Sequence, residues 1–145
     1  MRATDPALPV ESCLPDLLDA LQRRGVAVLQ APPGAGKTTR VPLALMDRTR
    51  AGWLAAQRIL MLEPRRLAAR AAARRIAWHL GETPGQSVGL VTRHERLAGP
   101  DTRVEIVTEG ILTRRLQRDP ALAGTGIVIF DEFHERSLQA DLGLA

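Results

Sequence analysis

Residues 26–38 contain the feature that most restricts the possible folds of this chain. An apolar run, Val26-Ala-Val-Leu-Gln30, is followed directly by Ala31-Pro-Pro-Gly-Ala-Gly-Lys-Thr38. The apolar run predicts a β-strand, and the glycine-containing segment predicts a tight loop that opens a helix at about Gly36. Strand, loop and helix in this order are typical of a phosphate-binding loop, in which backbone N–H groups surround a polyphosphate.

Lys37 is the only lysine among the 20 lysine and arginine residues of the chain. A phosphate-binding loop needs a compact ammonium on a thin stem to reach the β- and γ-phosphates. The planar guanidinium of arginine is too wide for that cradle and spreads its charge over a fork. The presence of the one lysine at this position therefore indicates a nucleotide-phosphate site. The alternative, an incidental lysine in an ordinary glycine-containing turn, is disfavoured because strand, spacing and helix all agree.

The residues of the loop have separate expected roles. Gly34 and Gly36 can adopt positive φ angles, which brings N–H groups close to a phosphate without an obstructing Cβ. The hydroxyl of Thr38 is expected on Mg²⁺, and the helix N-terminus directs its positive end at the ligand. The common pattern G-x-x-x-x-G-K-[ST] would place glycine at position 31, where this chain has alanine. The predicted nucleotide-binding residues of this segment are Gly34, Ala35, Gly36, Lys37, Thr38 and Thr39.

Length and composition indicate one soluble domain with an aliphatic core. The chain has 145 residues, of which 45% are apolar and only 3% aromatic. Such scarcity of aromatic residues disfavours the stacking platform that many binders of single-stranded bases use. The net charge of +4 is compatible with a nucleic-acid partner, although arginine-rich composition alone would produce it. Cys13 is the single cysteine, which excludes an internal disulfide and fits a reducing compartment. No apolar stretch suits a membrane span and no signal peptide is visible, so a cytoplasmic protein without a membrane partner is expected.

The pattern of elements predicts an α/β fold. Apolar strands that alternate with helices indicate a mostly parallel sheet covered by helices on both faces. Residues 1–13 are interpreted as a lead-in and residues 14–145 as one domain. The predicted elements are a short helix with Pro15 near its start and Gly25 as its stop, strand 26–30, a helix to about residue 50 kinked by Pro42, strand 58–63, helix 65–80, strands 88–92 and 103–108, helix 109–118 and strand 126–130.

A second motif follows the last predicted strand. Asp131 and Glu132 come directly after the run Ile127–Phe130. An aspartate at the carboxyl end of a buried strand can hold Mg²⁺, usually through water, and the adjacent glutamate can orient and deprotonate an attacking water. A helix N-terminal charge pair is the alternative, which the upstream phosphate loop disfavours. The segment His134-Glu135 lacks the second histidine of a zinc motif, and His79 and His94 are predicted on the solvated surface.

Four segments together carry a family resemblance. The chain resembles, from about Leu8 to its last residue, the first RecA-like domain of DExH/DEAH-box superfamily 2 helicases, and most of all the bacterial HrpB type. Alanine at position 31 suits the form of motif I in that family, and Phe133 stands where motif II usually has alanine. The matching segments are Ala31–Thr38 (motif I), Glu63–Ala68 (motif Ia), Thr108–Leu112 (motif Ib) and Asp131–Ser137 (motif II).

The resemblance implies an ATP-dependent helicase motor domain that uses ATP and Mg²⁺. Lys37 would hold the β- and γ-phosphates and take part in catalysis, Thr38 and Asp131 would serve Mg²⁺, and Glu132 would activate water. His134 would contact the nucleotide site and couple it to a second RecA-like domain. The implied partner is a single-stranded nucleic acid, RNA ahead of DNA.

The two middle motifs also point to nucleic acid on their own chemistry. Each predicts a turn between the carboxyl end of a strand and a helix, and open α/β sheets bind ligands along that edge. Arg65, Arg66, Thr108 and Gly110 are the candidate contacts to phosphodiester oxygens, which carry no base identity. Arg70, Arg74 and Arg75 are interpreted as the solvated face of an arginine-rich helix.

Two other functions remain open from the sequence. One is a nucleotide- and nucleic-acid-binding fragment without turnover. The other is a P-loop kinase, which would not need an adjacent Asp-Glu pair or arginine turns at the sheet edge. The family pattern further implies a motif III strand between strands 26–30 and 126–130, and a complete second domain with arginine fingers. Without them we expect no unwinding, feeble ATPase activity, and a marginal fold or association through the open sheet.

Overall fold

The computed structural model describes residues 8–47, 50–54 and 57–132. The chain divides into two compact units, residues 1–55 and residues 56–145. Within the described ranges, no helix is long and apolar enough to cross a membrane.

The first unit is helical in its described part. It contains a 3₁₀ turn at Pro9–Cys13, helix α1 at Leu14–Arg24, helix α2 at Lys37–Met46 and a second 3₁₀ turn at Gly52–Leu54. The predicted first helix and its stop at Gly25 are confirmed, since the N–H of Gly25 donates to the carbonyl of Leu21 at 2.9 Å. Helix α2 ends earlier than predicted, and Pro42 lies inside it.

The predicted strand at residues 26–30 is wrong. This segment has no regular secondary structure, and the side chains of Val26 and Val28 are 69% and 95% exposed. The N–H and C=O groups of a strand need a neighbouring strand to pair with, and none of the described strands pairs with this segment. An apolar run indicates a preference for burial, but it does not supply the neighbour.

The second unit is built on one five-stranded, mostly parallel sheet, as the alternation of elements predicts. Its strands are β1 (Arg58–Leu62), β2 (Val88–Val91), β3 (Arg96–Leu97), β4 (Val104–Val107) and β5 (Thr125–Phe130), in the spatial order β3-β2-β4-β1-β5. Strand β1 pairs in parallel with both β4 and β5, and β2 pairs in parallel with β4. The short strand β3, which the sequence did not predict, pairs with β2 in antiparallel fashion. Strand β5 therefore lies at the edge of the described sheet.

Two helices accompany the sheet, α3 (Arg66–Leu80) and α4 (Glu109–Arg118). Helix α3 packs on β2 and β4 through small residues, with Ala69, Ala73 and Ile76 all fully buried. Helix α4 contributes Leu112 to a cluster with Leu60 and residues of β2 and β4. The core of this unit is aliphatic, as the composition predicts, because all its buried hydrophobic side chains in the described part are alanine, valine, leucine, isoleucine or methionine.

The predictions for the histidines are half right. His94 is exposed, as expected, but the prediction for His79 is wrong because its side chain is only 2% exposed. His79 follows Ile76 by three residues and Ala72 by seven, and this spacing places it on the buried face of α3. The helical spacing of His79 therefore predicts its burial better than the polarity of its imidazole does.

Candidate functional site

The loop before α2 has the backbone that a phosphate-binding loop requires. Gly34 and Gly36 have φ angles of 76° and 95°, in the left-handed region that glycine adopts at little cost. The N–H of Ala35 donates to the carbonyl of Pro32 at 3.2 Å, which closes a tight turn. The two glycines singled out in the sequence therefore occupy the positions where the chain needs positive φ.

Helix α2 begins with its N-terminal N–H groups uncapped by a side chain. Gly36 is the N-cap residue, and it has no side chain to offer. Its carbonyl accepts the N–H groups of Thr39 and Arg40 at 3.2 and 2.8 Å, which starts the helix. An uncapped helix N-terminus that follows a glycine loop is a ready-made site for an anion such as phosphate.

The ammonium of Lys37 folds back on the loop. Its Nζ donates to the carbonyl oxygen of Ala31 and, at 3.1 Å, to that of Pro32. The positive charge of the only lysine thus lies directly on the loop that the sequence assigns to phosphate. Reaching a phosphate would require the side chain to leave these two carbonyls.

Residues that the sequence analysis treated as a lead-in contact this loop. Val10 is fully buried, and its N–H donates to the carbonyl of Ala35 at 3.1 Å. Glu11 pairs with Arg40 of α2, with 3.0 Å between Oε1 and Nε. No sequence signal announces these contacts, because they join residues far apart in the chain through a backbone group and one ion pair.

In the second unit, three predicted motifs meet along one edge of the sheet. Strands β4, β1 and β5 are parallel neighbours, so their carboxyl ends lie side by side. The turn after β4 holds Thr108, the turn after β1 holds Arg65, and the residue after β5 is Asp131. This carboxyl edge therefore brings the motif Ia, motif Ib and motif II segments together, in the crevice position where open α/β sheets bind ligands.

The acidic pair after β5 is held by backbone contacts. The N–H of Asp131 donates to the carbonyl of Leu62 at 3.1 Å, which extends the β1–β5 pairing by one residue. The N–H of Glu132 donates to Oδ1 of Asp131 at 2.9 Å. Glu132 itself has a φ of 53°, which is uncommon for a residue other than glycine. Backbone strain of this kind concentrates at functional positions, where the surrounding structure maintains it.

The candidate nucleic-acid residues lie at the starts of α3 and α4. Arg65 is the N-cap of α3 and Thr108 is the N-cap of α4, and neither side chain caps its helix. Arg65, Arg66 and Gly110 are exposed, and Thr108 is half-buried. Two uncapped helix N-termini with exposed arginines beside one of them suit the oxygens of a phosphodiester backbone.

The structure adds a basic turn to the same edge that the sequence analysis did not single out. Strand β2 is parallel to β4, and its carboxyl end leads into Arg93 and His94, both exposed. The adjacent Glu95 accepts a hydrogen bond from Arg70 of α3 at 2.7 Å. A basic turn after an apolar strand was visible in the sequence, but the order of the strands that brings it to this edge was not.

The other predictions have mixed outcomes. Arg70, Arg74 and Arg75 are exposed, as expected for a solvated face. In the part of the chain that the structure describes, no group of three or more His, Cys, Asp or Glu side chains could hold a metal ion. The hydroxyl of Thr38 and the carboxylate of Asp131 are oxygen donors of the kind that Mg²⁺ prefers, so each fits its predicted role individually. His134, Phe133 and the rest of motif II after Glu132 lie outside the described residues.

Comparisons with known proteins agree with one another. The model of the DEAD/DEAH box helicase family matches residues 11–141. The ATP-dependent RNA helicase HrpB of Escherichia coli is 54% identical over 139 residues, covering 96% of this chain and 17% of HrpB. Human ATP-dependent RNA helicase DHX30 is 36% identical over 140 residues, covering 94% of this chain and 12% of its own length.

Solved structures agree with the fold. Two crystal structures of E. coli HrpB match with TM-scores of 0.87 and 0.90, at 54% and 53% identity, and cover 94% and 99% of this chain. This chain spans 17% of each of those solved chains. The predicted RecA-like fold is thereby confirmed.

Proposed function

The chain belongs to the DEAD/DEAH box helicase family, and from this we propose that it is the ATP-binding motor domain of an ATP-dependent RNA helicase. In this proposal, Mg-ATP hydrolysis drives movement along a single strand of nucleic acid in the full-length protein. Relatives such as E. coli HrpB are named ATP-dependent RNA helicases, which favours RNA over DNA. A second RecA-like domain is the expected partner of this one.

Each candidate residue has a role in the proposed reaction. Lys37 and the N–H groups of the glycine loop would bind the β- and γ-phosphates, and Thr38 and Asp131 would hold Mg²⁺. Bound Mg²⁺ would neutralise charge on the phosphate oxygens. Glu132 orients the attacking water and accepts its proton, with Asp131 kept in place by the hydrogen bond from the N–H of Glu132. Family resemblance assigns His134 to the coupling with the second domain.

The observation that carries the proposal is the shared carboxyl edge of the second unit. One sheet edge presents the Asp131-Glu132 pair and, beside it, two uncapped helix N-termini with Arg65 and Arg66. A P-loop kinase would not need an adjacent Asp-Glu pair together with arginine turns along the same sheet edge. Such proximity instead suits a motor, in which hydrolysis and grip on a strand must affect each other.

A fragment that binds nucleotide and nucleic acid without turnover is the second candidate. The position of Glu132 favours turnover, because a carboxylate that can accept a proton from water, next to the candidate magnesium ligand Asp131, is needed for hydrolysis but not for binding. We also assign the protein to the cytoplasm, on the basis of its single cysteine.

The test is phosphate release by the full-length protein, with and without single-stranded RNA, in the wild type and in Glu132→Gln. The substitution keeps shape and hydrogen bonding but removes the base, so Mg-ATP should bind normally. Turnover should fall by about 10²-fold or more, on the scale of general acid–base catalysis. RNA should stimulate the wild type.

Glu109→Gln is the matched control for this test. It removes a carboxylate from the next turn of the same edge and should leave turnover in the absence of RNA unchanged. Normal turnover of bound ATP in Glu132→Gln, together with a collapse of affinity, would require the roles of Asp131 and Glu132 to be exchanged. A wild type that binds ATP but releases no phosphate, even with RNA, would favour the non-turnover candidate.

A further inference from the structure

Residues Leu8–Glu11, which we call the strap, make three contacts with the phosphate loop and with helix α2, which follows it. The N–H of Val10 donates to the carbonyl of Ala35 at 3.1 Å. The side chain of Leu8 lies over Gly36 so closely that a Cβ at that glycine would come within 2.6 Å of Leu8 Cδ1. The carboxylate of Glu11 pairs with Arg40, three residues after Lys37 in α2, at 3.0 Å. The contacts are of three kinds: a backbone hydrogen bond, an apolar contact and an ion pair.

Only the arginine of this ion pair is buried away from water. The side chain of Arg40 is only 5% exposed, whereas that of Glu11 is 36% exposed. A guanidinium removed from water is costly unless a carboxylate lies beside it, so Arg40 strongly favours the conformation that keeps Glu11 close. The N–H of Arg40 donates to the carbonyl of Gly36 at 2.8 Å, so the same residue anchors both the strap and the end of the loop.

The hydrogen bond from Val10 fixes the orientation of one peptide group in the loop. Because the peptide between Ala35 and Gly36 is planar and trans, its carbonyl and its N–H point in opposite directions. The strap holds the carbonyl, and therefore the N–H of Gly36 is directed away from the strap. Rotation of this peptide would break the bond from Val10, whose environment is fully buried, and leave its N–H unpaired.

We propose that the strap positions the phosphate loop for the terminal phosphates of a nucleotide, with Glu11 and Arg40 as its positioning residues. The inference rests on the proposed function, because it assumes that the loop binds a nucleoside triphosphate. The strap presets the Gly36 N–H, so the loop does not need to order itself when the phosphates arrive. Such preorganisation strengthens binding by reducing its entropic cost.

The test compares variants that break the ion pair by two routes in the full-length protein. Glu11→Gln removes the carboxylate with little change of shape, and Arg40→Met removes the guanidinium and its need for a partner. Asp19→Asn is the control, because it removes the carboxylate of an exposed pair, Asp19–Arg23, in the same unit. Binding of Mg-ATP and of AMP is measured by calorimetry, and thermal unfolding is followed on the same samples.

Both ion-pair variants should lose affinity for Mg-ATP by about fivefold or more, the lower end of typical coupling between sites. Their affinity for AMP, which lacks the β- and γ-phosphates, should stay within twofold of the wild type, a margin of about 0.4 kcal/mol. The double variant should lose less affinity than the sum of the two single losses, because both substitutions remove the same ion pair. Asp19→Asn should bind both nucleotides as the wild type does.

Different results separate the strap from the proposed function. Wild-type affinity for Mg-ATP in both variants, whatever their unfolding temperature, would overturn the strap and leave the proposed function intact. Equal losses for both nucleotides would assign the pair a purely structural role and also overturn it. A wild-type protein that does not bind Mg-ATP would overturn both proposals.

Discussion

The two edges of the sheet in the second unit are both rich in arginine, yet they use it in opposite ways. At the carboxyl edge, Arg65 and Arg66 lie exposed at the beginning of α3. At the amino edge, Arg115 and Arg118 lie in the last turn of α4. Both edges carry arginine, so the difference between them must come from the surroundings of each side chain.

At the amino edge, the arginines stabilise the fold. Both terminal nitrogens of Arg115 donate to Glu105, with 3.0 Å between Nη1 and Oε2, and Glu105 is only 1% exposed. Arg58 approaches the same carboxylate at 3.8 Å. Arg115 and Arg118 also sit at the negative end of the helix dipole, where cations stabilise the helix. A cleft of about 490 Å³ at this edge is lined in part by Arg58 and Arg115, which both pair with Glu105.

At the carboxyl edge, the arginines lie where the fold disfavours them. Arg65 and Arg66 lie at the positive end of the α3 dipole, and the first turn of α3 has no acidic residue to offset them. Cations in this position weaken the helix slightly, which makes sense when an anion is expected there. The two edges thus differ in the helix end that lies beside each arginine: Arg115 pairs with a buried carboxylate at the end of α4, whereas Arg65 and Arg66 lie at the start of α3, where the proposed function places an anion.

The largest effect is expected from breaking the pair at the amino edge. Arg115→Met leaves the carboxylate of Glu105 buried without its main partner, and the free energy of unfolding should fall by about 3 kcal/mol. The value is at the lower end for buried pairs because Arg58 stays nearby. Urea denaturation measures the loss, with Arg118→Met, an exposed neighbour in the same turn, as the control. If Arg115→Met lowered the affinity for RNA without lowering the free energy of unfolding, the structural role of Arg115 at the amino edge would be wrong.

A smaller effect is expected from the double substitution Arg65→Ala with Arg66→Ala at the carboxyl edge. Affinity for single-stranded RNA should fall by about tenfold at moderate salt, equally across sequences. The slope of log affinity against log salt should flatten by about 0.7 for each phosphate that the variant no longer neutralises.

The matched control is Arg114→Ala with Arg118→Ala, which removes the same charge from exposed positions on α4. Titrations at several salt concentrations distinguish the two variants. Equal losses of affinity in both would mean that net charge, not position, sets binding, and a sequence-selective loss would argue against phosphate contacts.

The smallest effect concerns the helix dipoles alone. Arg66→Ala should raise the free energy of unfolding by about 0.3 kcal/mol, and Arg118→Ala should lower it by a similar amount. Since the same substitution is made in both helices, the propensity difference between arginine and alanine cancels when the two variants are compared with each other. Chemical denaturation at low salt measures both, and the gap should shrink in high salt. A gap of the opposite sign would show that the dipole does not explain the two edges.

Local signals in the sequence predicted most of the second unit. Strands β1, β2, β4 and β5 are apolar runs bounded by turn residues, and helix 109–118 has the predicted bounds. The turns that carry Arg65, Thr108 and Asp131 follow from these elements, and so does their place on one edge once the sheet is parallel. The strand order itself depends on pairings between distant residues, and no local pattern encodes it.

Failures of prediction occurred where distant partners decide the structure. Residues 26–30 look like a strand but are unpaired in the described sheet. Residues 1–13 are interpreted as a lead-in, yet Val10 is fully buried and its N–H donates to the carbonyl of Ala35. The proposed role of Lys37 follows from its chemistry and its place in the loop. The ion pair between Glu11 and Arg40 was not predictable, because no local pattern marks one acidic and one basic residue far apart in the chain as partners.

The position of the Lys37 ammonium has a consequence for the speed of the proposed motor. Its two carbonyl partners, Ala31 and Pro32, compete with a phosphate for the same charge. In the proposed function, nucleotide binding exchanges these two carbonyls for phosphate oxygens. In the proposed cycle, the ammonium can pair with the two carbonyls again as the phosphates depart. Product release limits the cycle of many enzymes. We expect a lysine with alternative hydrogen-bond partners inside the protein to favour rapid turnover over tight retention of product.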